Sequence, residues 1–186
     1  MQQQNNDPVY SKHVLEMLTV ANEYCHFIEQ CEEYSKKNIL EFLHKIFPML
    51  YLKGILMPST VVEDPSYNEK YVNEMQWEHI FYSIKHKLKE DDKFWTVRNT
   101  GLNEFEPQQH SLSDLIADTY QDMKDFVMLY QQPSVYAKQN AVADFKNYFQ
   151  NHWGERVLKT SNRIHELIYR PTRDPFSDEN ALGLEE

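Results

Sequence analysis

The sequence predicts an all-α protein: a single bundle of five or six amphipathic helices with one irregular connection. Apolar residues recur at spacings of three and four over long stretches and almost nowhere alternate with period two. Capping residues, Gly and Pro fall at the ends of those stretches. A chain of 186 residues, 41% apolar and 13% aromatic, has enough apolar material for the core of one domain.

The elements follow in order. Met1 to Tyr10 is Gln/Asn-rich and is expected to be a mobile N-terminal segment (1–10) ahead of a helical domain over 11–170. Val14, Leu15, Leu18, Ala21, Cys25 and Ile28 mark a first helix from Ser11 to about Tyr34. Ile39, Leu40, Leu43, Ile46, Phe47 and Leu50 mark a second, bent or interrupted at Pro48 and ending near Gly54. After a turn-rich loop, Asn68 is an N-cap candidate for a third helix carrying Val72, Ile80, Ile84 and Leu88 to about Lys89. From Glu90 to His110 the chain is irregular, with Phe94, Trp95 and Val97 suited to a short strand or turn. Ser111 and Ser113 are capping residues for a strong fourth helix over Leu112, Ile116, Met123, Phe126 and Tyr130. Pro133 and Ser134 restart the chain into a last helical stretch that passes Phe145, Phe149, Trp153 and Gly154 and stops before Pro171. Residues 171–186 lack periodicity and read as a mobile acidic tail.

Charge and composition remove several function classes. With 19 Lys and Arg against 29 Asp and Glu, the net charge of −10 gives no field for a phosphate backbone, so no nucleic-acid partner is expected. Four scattered glycines cannot build a phosphate-cradling loop. Cys25 and Cys31, six apart in what reads as one helix, point about 120° apart and are expected to be reduced thiols packed as small apolar residues. The start has neither a basic nor an apolar leader region, and the longest apolar run, Ile46 to Leu52, falls far short of a membrane span of about 20 residues. The expected location is the cytoplasm, with no membrane contact.

Among candidate sites, Glu23-x-x-His26 and Glu41-x-x-His44 have the spacing that helical bundles use for di-iron. A helical wheel turns Glu23 and Glu41 about 160° to 180° from the core, so both are expected to be coincidences and no metal or cofactor is assigned. Asp114, Asp118 and Asp125 read as a solvated acidic face of the fourth helix, with Asp122 at its border. On the last helix, taking Val142, Phe145 and Phe149 as the buried side places Arg156 within about 20° and His152 within about 60° of it. A charged group there must find a carboxylate, and Asp122 or Asp118 is the expected partner, with Glu29 as the alternative. No nucleophile elbow, Cys/His pair or H-E-x-x-H sequence is present, so no catalytic residue is assigned.

Ala21-Asn22-Glu23-Tyr24-Cys25, Leu50-Tyr51-Leu52, Phe94-Trp95-Thr96-Val97, Ser113 to Lys124, and Asn151-His152-Trp153-Gly154-Glu155-Arg156 with His165 together resemble a family of bacterial all-helical proteins, domain of unknown function 5063. The resemblance implies the helical fold and supplies no activity. It implies motif positions at Asp118, Tyr120, Asp122, Lys124, His152, Trp153, Gly154 and Arg156. The candidate binding cluster is therefore Asp118, Asp122, His152 and Arg156, supported by Tyr120, Lys124, Trp153 and Gly154. The expected function is a non-enzymatic module acting through a protein partner, its oligomeric state left open. The alternative is a small-molecule or divalent-metal binding protein or enzyme built on the Asp/His/Arg cluster.

Overall fold

In the computed structural model, which describes residues 7–101 and 104–169, helix α1 spans Lys12–Glu29, α2 Lys36–Ile55 and α3 Glu74–Leu88. Strands β1, Lys93–Gly101, and β2, Glu104–Ser111, pair antiparallel as a hairpin, and α4 (Leu112–Tyr130), α5 (Val135–Tyr148) and α6 (Gly154–Tyr169) complete the chain. Between the last two lies a π-helical turn, Phe149–Trp153, so α5 and α6 are joined without leaving helical backbone geometry. The fold is mostly all-α, and the hairpin occupies the place of the irregular connection.

Local chemistry sets the ends. Ser35, Ser111 and Ser134 each accept a backbone N–H of the helix that follows. Helix α3 is capped by Asn73, not Asn68: the Asn73 side chain accepts from Gln76 N while the Gln76 side chain accepts from Asn73 N, a reciprocal box that satisfies two free donors. Helix α1 stops at Glu29, and Cys31 lies in a separate 3-10 turn, so the two cysteines do not share a helix. Both are unpaired and buried, and burial pushes the Cys31 thiol up to about 11. Helix α2 runs uninterrupted through Pro48, which faces solvent.

The opening segment is ordered from Asp7. Asp7 caps a turn over Pro8–Tyr10, Val9 is fully buried, and its carbonyl accepts the Tyr130 hydroxyl at 2.8 Å. The rest of the expected N-terminal segment, residues 1–6, and the expected acidic tail, 171–186, lie outside the described residues.

Helix α4 is the central element. Helices α1, α3, α5 and α6 all pack on it, and its buried residues include Ser113, Ala117, Thr119, Asp125 and Leu129 as well as the expected Ile116, Met123 and Phe126. Tyr24 of α1 donates its hydroxyl to the Ile116 carbonyl at 2.9 Å, so a fully buried ring reaches the axis with its polar end satisfied. Helix α2 packs on α1 and α6. Among the described residues no helix is long and apolar enough to cross a membrane.

The hairpin is tied to α4 by Asp92, which is buried just before β1. Its carboxylate accepts Ser113 N and the Ser111 hydroxyl, each at 2.8 Å. Two hydrogen bonds to a buried charged acceptor stabilise more than neutral ones, so Asp92→Ala is expected to cost about 2 kcal/mol in chemical denaturation and to speed amide exchange at the start of α4. An unchanged unfolding midpoint would refute that role.

Candidate functional site

Arg156 projects from the first turns of α6 toward α4. Its Nη1 is 2.6 Å from Asp122 Oδ2 and its Nη2 is 3.4 Å from Asp118 Oδ2. The side chains of Arg156 and Asp122 are only 18% and 19% exposed, so the pair is largely shielded from water. Asp118 also accepts the Trp77 indole N–H at 3.0 Å, which ties α3 into the same cluster. The two acids chosen for Arg156 from sequence thus both meet it, and Glu29 does not: Glu29 accepts the Tyr120 hydroxyl at 2.9 Å and Lys124 Nζ at 2.7 Å, a second polar bridge between α1 and α4.

His152 does not join the cluster. It is exposed, its ring edge-on to Tyr148 at 5.7 Å. The π turn explains the miss, because it carries more residues per turn than the 100° wheel allows and resets the phase of everything after Phe149. The buried side of α6 is Val157, Thr160 and Ile164, with Arg156 at its edge. Trp153 is fully buried and donates its indole N–H to the Phe145 carbonyl at 3.2 Å. Gly154 lies against the Phe149 ring.

The acidic face expected on α4 is not a wet face. Asp114 alone of its members is exposed, whereas Asp125 is buried and accepts Tyr71 N at 2.8 Å and Val72 N at 3.1 Å, fixing the chain that leads into α3. Lys70, from the same lead-in, stands 3.4 Å from Asp125 Oδ2 and 4.8 Å above the Tyr148 ring. Asp122, Asp125, Asp144 and Tyr148 line the space beneath it, which amounts to about 20 Å³, room for about one water.

Burial pushes the Asp122 carboxyl above the usual carboxylate range, with Arg156 pulling the other way. Burial likewise raises Asp144, offset in part by Lys70. A carboxyl whose folded-state pKa is raised keeps its proton longer when folded than when unfolded, so stability falls as pH rises through that window. Asp144→Asn is therefore expected to raise the melting temperature at neutral pH, and the gain should vanish below the ordinary carboxylate range. Equal melting of the two proteins at every pH would contradict the assignment.

The two Glu-x-x-His motifs do not converge: Glu23, His26 and Glu41 are exposed. Among the described residues no group of three or more His, Cys, Asp and Glu is placed to hold a metal ion.

The hairpin carries the surface feature that sequence reasoning did not see. On its inner side Phe94 is buried and Thr96, Gln108 and His110 are half-buried. Its outer side presents Trp95, Val97 and Asn99 opposite Gln109, Pro107 and Phe105. Trp95, Val97 and Phe105 are 64%, 69% and 62% exposed. Alternation over Phe94 to Val97 was the available signal, too short to stand out beside the helices.

No curated protein matches the chain. Among solved structures it is similar to the crystal structure of protein BF1032 from Bacteroides fragilis, a structural-genomics target, at 28% identity and a TM-score of 0.78, over 90% of this chain and 99% of that one. Residues 8–170 match the family described as Domain of unknown function (DUF5063), and the chain belongs to that family.

Proposed function

We propose that this chain is a protein-interaction module, without a catalytic centre of its own, that docks a partner on the outer face of the β1–β2 hairpin. The observation that carries this is the alignment of exposed Trp95, Val97 and Phe105 on one side of a two-stranded sheet. Large apolar side chains in water at adjacent positions mark contact surfaces, and aromatics dominate the anchors of such surfaces. The partner's chemistry follows from charge. Above Lys93 at its foot, the described part of this face, from Trp95 to Asn99 and from Phe105 to Gln109, bears no charged side chain, in a chain whose net charge is −10. The matching occupant is an uncharged apolar protein surface, since a phosphate backbone or an anionic bilayer finds no counter-charge there. The Arg156 cluster supports the same reading, because its charges satisfy each other and the space beside it admits about one water. The module is taken to be cytoplasmic, in keeping with two unpaired buried cysteines.

A photo-reactive residue at Gln109 tests this in the source cell, with one at Asn22 on exposed α1 as control. A protein adduct specific to Gln109 that disappears in the Trp95→Ser, Phe105→Ser double variant is the expected result. No adduct above the control, or one indifferent to the double variant, overturns the proposal. Both substitutions are at exposed positions and should change stability by no more than about 0.5 kcal/mol, so loss of the adduct would not reflect unfolding.

A further inference from the structure

The seam between α2 and α6 brings together His44, His165 and Tyr169. The imidazole centroids of His44 and His165 are 5.9 Å apart. The Tyr169 ring packs against both, at 5.5 Å from His44 and 4.7 Å from His165, and its hydroxyl is 3.4 Å from His44 Nε2. His165 and Tyr169 are one turn apart on α6, and His44 comes from a different helix, so packing of the bundle sets the spacing of all three. His165 and Tyr169 face solvent, which leaves the group open to an ion from solution.

We propose that this trio is a binding site for a late first-row divalent cation, Zn²⁺ or Cu²⁺, with His44 and His165 as the two nitrogen ligands and the Tyr169 hydroxyl as an oxygen donor beside them. The spacing is the first argument. An ion held about 2.0–2.1 Å from an imidazole nitrogen lies about 3.2 Å from that ring's centroid, so two rings sharing one ion have centroids about 5 to 6.4 Å apart. The observed 5.9 Å lies inside that span, and small rotations about the side-chain bonds bring it to a tetrahedral angle. Ligand type is the second argument, because neutral imidazole favours Zn²⁺ and Cu²⁺, whereas Mg²⁺ and Ca²⁺ require sets of oxygens. Among the described residues no third His, Cys, Asp or Glu completes the set, so water fills the remaining positions and the ion keeps an exchangeable site. His79 and His86 provide a contrast: two turns apart on α3, they are separated by about 10 Å along the helix axis and cannot share an ion.

The experiment uses the full untagged chain at neutral pH, titrated with Cu²⁺ alone and followed by calorimetry and electron paramagnetic resonance, with Zn²⁺ added as competitor. One equivalent of Cu²⁺ showing coupling to two imidazole nitrogens, and displaced by Zn²⁺, is the expected result. His44→Gln and His165→Gln should each weaken binding at least about tenfold and reduce the coupling to one nitrogen, Tyr169→Phe should weaken it less, and His79→Gln should change nothing. Binding at full strength in the His44→Gln, His165→Gln double variant, or no binding at micromolar metal by the wild type, overturns the site and leaves the three rings as a packing cluster. The hairpin proposal stands or falls independently, since none of these residues lies on it.

Discussion

Arg156→Ala is expected to destabilise the protein by about 3 kcal/mol, which for a chain of this size lowers the melting temperature by about 6 to 12 °C. Removing the guanidinium leaves Asp122 in a largely buried position with no cation at hydrogen-bonding distance, and Asp118 with only the Trp77 indole as a close donor. The cost of stranding one member of a buried pair is commonly 3 to about 5 kcal/mol, and the lower end applies because about a fifth of the Asp122 side chain still meets water. The pH dependence carries a sign. Without Arg156 the effect of burial on Asp122 is less opposed, its folded-state carboxyl holds its proton to higher pH than the unfolded one, and stability is lost as pH rises. The variant should therefore be worst at neutral pH and recover part of the difference in acid. Arg156→Lys should fall between, since one ammonium cannot reach both acids as the planar fork does. Replacing the pair together, Arg156→Met with Asp122→Leu, should restore most of the stability. An alanine variant that melts with the wild type would falsify the account of Arg156 as the fastening between α4 and α6.

Gly154→Ala is expected to lose about 3 kcal/mol, against the ordinary trend. Within a helix, alanine normally stabilises by about 1 kcal/mol relative to glycine. Here the added methyl would run into the Phe149 carbonyl, which the π turn places beneath residue 154, and would touch two carbons of the Phe149 ring at 3.0 Å. The Gly154 N–H donates to that same carbonyl, so the backbone cannot yield without breaking the turn. Gly54 on α2 faces the same group: a methyl there would stand 2.6 Å from both the Phe149 and Trp153 rings. Two glycines from two helices thus make the slot into which these rings fit. Gly54→Ala should also destabilise, by a smaller amount, because side chains rather than backbone obstruct it. Calorimetric melting of both variants checks the order, and a stabilised Gly154→Ala would show that the turn relaxes freely.

Most of the helices were legible from their apolar period and their caps. Ser35, Ser111 and Ser134 sit where a polar side chain meets the start of a periodic run, a purely local signal. Asn68 misled because a second asparagine five residues later had the better local chemistry, with Gln76 at the reciprocal position. The failures at the site were of another kind. A wheel assumes that a helix has one dry side and one wet side, whereas α4 is enclosed by four others, so Asp118 and Asp125, assigned to solvent, meet Trp77, Arg156 and the lead-in to α3. The pairing of Arg156 with Asp122 was legible because a lone cation near an apolar stripe has few ways to be satisfied. His152 was misplaced by phase, and that phase is tertiary information, held in the packing of Phe149 and Trp153 against Gly54.

In genetic terms the π turn is the mark of one codon more than an unbroken α-helix needs. Deleting a single residue between Phe149 and Trp153 would let α5 and α6 fuse into a regular rod, and the local hydrogen bonding would improve. Everything downstream would then turn by about 100°, carrying Arg156 off its acids and His165 and Tyr169 away from α2. Both ends of α6 are therefore held in frame by one surplus amino acid, and of all length changes in this helix an in-frame loss at that turn should be the least tolerated.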